Sequence, residues 1–171
     1  MTEQSINGWP ASPQPALIGV QTFAIPGTRR TVRLQSDAAP ILLRLATAFD
    51  RHVADIDADP LAVWGYNYRR IRPQENDPKA PFSDHASGTA IDLRSDKFPI
   101  GKRNMTLRQR LWVRRILKNC DGLVIWGGDY KNDSSADEMH FAIAPGVTKQ
   151  QIIAWRIRHR IDGNGRPLPK R

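Results

Sequence analysis

Apolar side chains recur at three- and four-residue steps at Ile41, Leu42, Leu45, Phe49 and Val53, the spacing of one face of an α-helix. Ser36 is its predicted N-cap, offering a side-chain oxygen to an unpaired backbone amide. Two later helices carry their own start signals. Thr106-Leu107-Arg108-Gln109 and Thr148-Lys149-Gln150-Gln151 fit the capping box, in which side chains at both ends satisfy orphan amides. The first is predicted to run to about Asn119 and the second to about Arg160. Elsewhere apolar residues alternate or form short runs, and residues 28–34, 61–68, 89–93, 123–126 and 139–143 are predicted strands. Consecutive strands without regular crossover helices predict one α+β domain, a mostly antiparallel sheet backed by helices.

The flanks read differently. Residues 1–27 are rich in Pro, Ser and Gly and are predicted to form an irregular arm, with 17–20 and 22–25 as short strand candidates. The domain then covers 28–160. Residues 161–171, with Gly163, Gly165, Pro167 and Pro169, are predicted to be a flexible basic tail. There is no internal repeat or coiled-coil heptad.

Composition changes this picture in three places. A chain of 171 residues with 40% hydrophobic content can bury one real core but not two comfortable ones. The single Cys120 ends an apolar helical run and is expected to be a small buried hydrophobe rather than half of a disulfide. The start Met1-Thr2-Glu3-Gln4-Ser5 lacks the marks of a signal peptide and no segment has membrane-span length, so a monomer made in the cytoplasm is expected.

The net charge of +9 asks for a polyanionic partner or setting. Residues 156–171 hold six Lys or Arg and one Asp, which supplies +5 of that charge. Such a tail suits acidic wall polymers, membrane head groups or nucleic acid, or simply keeps the chain soluble. No specific nucleic-acid reader is expected.

Candidate chemistry lies in two stretches, Ser83 through Asp92 and Asp137-Glu138-Met139-His140. A catalytic zinc takes three protein ligands and leaves one position open, and His85, Asp92 and His140 supply such a set. Ala86, Ser87 and Gly88 permit a tight turn, and the strand that follows brings Asp92 back beside His85. His140 opens a second strand able to lie next to the first. The remaining His52 and His159 sit beside Arg in helical stretches and read as surface.

A zinc hydrolase also needs a carboxylate to move a proton. Alternation puts Glu138 on the face of His140. The turn-rich 133–136 segment need not be extended before the base, and this admits Asp137. Glu138 then reads as an exposed loop carboxylate. A cation for the developing oxyanion is offered by Arg69, Arg70 or Arg72 after the aromatic run Trp64 to Tyr68. Trp126 and Tyr130, around Gly127 and Gly128, are candidate walls of a substrate cleft.

The pattern S-x-H-x-x-G-x-A-x-D, then W-G-G, then D-x-M-H-F resembles the M15 family of zinc D-alanyl-D-alanine carboxypeptidases and L-alanyl-D-glutamate endopeptidases, above all its phage endolysin branch. The likeness spans roughly residues 38 to 143. It implies one catalytic Zn2+ on His85, Asp92 and His140, with Asp137 as general base and Arg69 near the metal. Ser83 is expected to hydrogen-bond substrate or to support a ligand. One departure is Ala142, where phage-type members often carry Glu.

The implied activity is hydrolysis of a peptidoglycan stem peptide at L-alanyl-D-glutamate, with D-alanyl-D-alanine as the alternative. A phage holin pore would carry the enzyme from cytoplasm to wall. Two other classes compete: a non-catalytic wall-binding module with a structural zinc, and a nucleic-acid-binding protein using the basic tail.

Overall fold

The computed structural model describes residues 3–169. In chain order these form β1 (Glu3–Gln4), β2 (Pro10–Ala11), β3 (Val20–Ala24), β4 (Thr31–Gln35), α1 (Ala39–His52), β5 (Val63–Trp64), β6 (Ala90–Leu93), α2 (Leu107–Lys118), β7 (Val124–Trp126), β8 (His140–Ile143) and α3 (Lys149–Arg158), with short 3-10 turns between. The site-bearing sheet has the order β5-β6-β8-β7 and is antiparallel throughout, while β3-β4 and β1-β2 are separate pairs. This is the α+β arrangement the strand succession predicts.

Register explains which side chains meet. Ile91 pairs with Phe141, and Phe141 with Trp126, so these three share one face of the sheet. That face is the core: Phe49 of α1 meets Phe141 edge-on with ring centroids 5.8 Å apart and Phe98 at 6.4 Å. Asp92 pairs with His140 and Ala90 with Ala142 on the opposite face. One strand pair thus buries a hydrophobic set against α1 and presents two candidate ligands on its other side.

Both predicted capping boxes are present, at Thr106 with Gln109 and at Thr148 with Gln151. The start of α1 differs from expectation. Its N-cap is Ala38, with no side-chain cap from Ser36. Gln35 takes that part instead, its Oε1 accepting the amides of Asp37 at 2.6 Å and Ala38 at 3.0 Å. The 61–68 strand shrinks to Val63–Trp64 because the chain then leaves the sheet: Tyr66 N–H donates to Arg33 O and Asn67 N–H to His85 O.

Both flanks also depart from the arm-and-tail expectation. Within 3–27, β3 pairs along its whole length with β4, and Trp9, Ala11, Ile18, Val20 and Ile25 are buried. Those apolar residues have a core to join, so the Pro- and Gly-rich spacing makes turns rather than a loose arm. At the other end Ile161 is buried and bridges Pro167, and Arg160 donates to Pro169 O at 2.7 Å. Residues 161–169 fold back on the domain. Lys170 and Arg171 lie outside the described residues. Cys120 is buried as expected, and burial pushes its thiol up to about 12.

Candidate metal and catalytic site

Ser83 opens a 3-10 turn over Asp84–Ser87, its Oγ accepting the His85 amide at 3.3 Å. The turn closes at Gly88, whose φ of +69° and position 2.8 Å (for an added Cβ) from Gln35 N and Val20 Cγ2 leave room for no side chain. That tight closure returns the chain into β6 and sets His85 above Asp92. Asp92 lies directly opposite His140 across the β6-β8 pair.

Three donor atoms converge. His85 Nε2 is 3.1 Å from Asp92 Oδ1, His140 Nδ1 is 2.8 Å from the same oxygen, and the two nitrogens are 3.2 Å apart. His85 Nδ1 sits 2.7 Å from Gly65 O, which can only accept. The Nδ1–H therefore points to Gly65, which leaves Nε2 as the ring atom facing the cluster. Two imidazole nitrogens and a carboxylate oxygen this close repel one another unless a proton or a cation lies among them. Ligand atoms about 2.0–2.2 Å from a tetrahedral zinc stand roughly 3.3–3.5 Å apart, so outward shifts of a few tenths of an ångström would fit the ion.

Electrostatics agree with that reading. Burial alone would raise the Asp92 carboxyl, but His85 and His140 hold it well below the usual carboxylate range. Burial alone would lower the His140 imidazole, yet the hydrogen bond and charge of Asp92, with Asp137 and Asp84 behind, raise it. The cluster attracts positive charge.

Asp137 and Glu138 separate clearly. The amide of His140 donates to Asp137 O at 3.1 Å, a turn that breaks strand alternation just before β8. Asp137 is half-buried with Oδ1 lacking any partner, and burial, with Asp92 adding to it against His140, raises its carboxyl to about 6. Glu138 is fully buried rather than exposed, and its Oε2 accepts the Met105 amide at 2.7 Å just before α2. That bond ties it to the start of α2, while its Oε1, like Asp137 Oδ1, has no partner.

The W-G-G motif sets this loop. Trp126 Nε1 donates to Glu138 O at 2.8 Å, and the Asp137 amide donates to Gly127 O at 3.0 Å. A Cβ on Gly127 would lie 2.5 Å from Asp137 O and 3.2 Å from His140 Cβ. Trp126 is 2% exposed and stacks on Phe141 at 6.4 Å, so it is a core residue and not a cleft wall. Its place on the core face follows from the β7-β8 register.

Of the three arginines, Arg69 alone carries an imprint of the site. Burial, first, and Arg72 lower its guanidinium, while Asp92, Glu75 and Asp137 raise it. Arg70 lies over the Phe82 ring and Arg72 pairs with Glu75 at 2.9 Å. Tyr130 stands at the rim, where burial and the charges of Asp84, Asp137 and Asp92 push its phenol up to about 12, so it remains an O–H donor at neutral pH. Ser83 is buried and supports His85 rather than facing a cleft.

Two residues at the site carry no sequence signal. Asp84 is buried near His140 and His85, its carboxyl raised by burial against those two imidazoles. Trp64 pairs with Asp92 in the β5-β6 register and is 49% exposed, an aromatic wall beside a ligand. Only the register reveals it.

Residues 76–143 match the M15 peptidase family model described as D-alanyl-D-alanine carboxypeptidase. Over that stretch, less than half of its length, the chain is similar to M15 peptidases. No curated protein and no solved structure matches it. The matched stretch holds Ser83, His85, Asp92, Trp126, Tyr130, Asp137 and His140, whereas Arg69 and Trp64 precede it. Ala142, where the phage-type M15 pattern often has Glu, is fully buried between Ala90 and Ile125.

Proposed function

We propose that this protein is a zinc-dependent peptidase acting on the stem peptide of bacterial peptidoglycan. The observation that carries the proposal is the cluster of His85 Nε2, Asp92 Oδ1 and His140 Nδ1 with the unpartnered Asp137 Oδ1 beside it. A zinc ion held by that set would supply Lewis acidity to the scissile carbonyl and acidify a water. Asp137 takes the water's proton during attack and returns it to the leaving amine. Arg69 and the Tyr130 phenol donate toward the carbonyl oxygen as charge builds there. Ser83 and Gly65 hold His85 in the tautomer and position that the ligand role needs.

Two bonds are in question. The phage-like residue pattern favours L-alanyl-D-glutamate, the endolysin activity, and the matched family description favours D-alanyl-D-alanine. In the endolysin setting a holin pore delivers the protein to the wall, where its net charge of +9 suits acidic wall polymers. The test uses two synthetic stem peptides, one intact only at each bond, with zinc-loaded protein and mass spectrometry of the products. Cleavage of one peptide assigns the bond, and cleavage of neither sinks the proposal.

A further inference from the structure

The N-terminal segment reaches the metal motif through Asn7, which is 2% exposed and uses every polar group it has. Its Nδ2 donates to Thr89 Oγ1 at 2.8 Å, just before β6, and to Ile143 O at 3.1 Å, the end of β8. Its Oδ1 accepts the Ser5 hydroxyl at 2.7 Å and the Trp9 amide at 3.4 Å. Its own amide donates to Asp84 Oδ1 at 3.0 Å, and its carbonyl accepts the Gly146 amide at 3.3 Å. A second contact, Ser5 Oγ 2.8 Å from Ser87 Oγ, ties the same segment to the turn that carries His85.

We infer that Asn7 is a positioning residue of the metal site, joining the turn of His85, the strand of Asp92 and the strand of His140 into one frame. A primary amide is required for this. Two donors and two acceptors at the end of a short stem are a set that Asp, Ser or an apolar residue does not have. The three ligands lie on separate stretches of chain, and Asn7 touches each stretch within a few residues of the ligand it bears. Polar partners behind metal ligands typically change metal affinity by about 10- to 100-fold when removed. Asn7 acts here one step further out, through Asp84, Thr89 and the β8 backbone. The inference rests on the metal reading of the cluster, and its test is arranged so that the two can fail separately.

Asn7→Ala is compared with wild type and with Thr148→Ala, which loses a helix cap but none of the Asn7 side-chain bonds. Two measurements are made on each full-length protein: zinc affinity by chelator competition, and imidazole resonances of the four histidines without metal. The expected result for Asn7→Ala is zinc affinity reduced about 10- to 100-fold, with His85 and His140 resonances shifted or broadened. His52 and His159 should be unchanged, and Thr148→Ala should spare all the site signals. Unchanged His85 and His140 resonances in Asn7→Ala, or all four histidines moving together, would overturn the positioning role. If wild type binds no zinc, the metal reading fails while the imidazole comparison still decides the frame. Should Asn7→Ala not fold, Thr89→Val removes the hydroxyl that Asn7 donates to, with the same outcomes expected and the same ones fatal.

Discussion

At Asp137 the chain places an unpartnered carboxylate oxygen where burial raises its pKa to about 6, next to two imidazoles and within the field of Arg69. A base must be ionised to accept a proton, and a bound zinc ion favours the ionised form, so kcat/KM should fall as pH drops through a value no higher than about 6 and level off above it. Asp137→Asn should keep zinc and lose turnover by about 10²- to 10⁴-fold; full activity in that variant would remove Asp137 from the mechanism. Glu138 gives the contrasting case. Its carboxylate satisfies the Met105 amide inside the protein, so Glu138→Ala should lower stability by about 1–3 kcal/mol in a denaturant titration while zinc content stays the same. In the sequence, alternation favours Glu138 and the M15-like pattern favours Asp137, and the two disagree because alternation presumes an extended chain. The turn from Asp137 O to the His140 amide is what reverses their sides.

The elements show the same division between local and non-local signals. Thr106 and Thr148 begin their helices as predicted because a capping box is complete within four consecutive residues. The ligand turn was legible for a similar reason: Ser83 to Asp92 encodes its own cap, its left-handed closure at Gly88 and its strand. Ser36 failed as a cap since Gln35 reaches the same amides from the strand side. Trp126 and Trp64 could not be placed from sequence, because only pairing with β8 and β6 decides which face each takes. Gly127 belongs to this scale too. A methyl group there meets Asp137 O at 2.5 Å, so Gly127→Ala should displace the base loop and cost about 10²-fold in kcat, with helical circular dichroism unchanged. Unaltered kcat would mean that the loop position does not govern the proton transfer.

Over the whole molecule, one core under α1 supports a site whose residues run from Trp64 to His140 and which is tied to the N-terminal segment through Asn7. The stretch similar to M15 peptidases was readable because its motifs are short and dense. The contributions of residues 3–27 and 161–169 were not, because Pro- and Gly-rich sequence specifies turns without saying what they pack on. A ligand that binds only the folded state stabilises it in proportion to the logarithm of its concentration, about 2.7 kcal/mol at 100 times Kd. Zinc should therefore raise the Tm of wild type and leave that of His140→Ala where it was, and equal shifts in both would place the metal elsewhere.

The central claim meets its most direct test in digestion of purified peptidoglycan by the zinc-loaded protein, the chelated protein and the chelated protein resupplied with zinc, reading new peptide termini by mass spectrometry. The expected result is one new kind of stem-peptide terminus, lost on chelation, restored by zinc and absent with Asp137→Asn. Intact stem peptides after treatment with fully zinc-loaded protein, or cleavage that persists without metal, would contradict it.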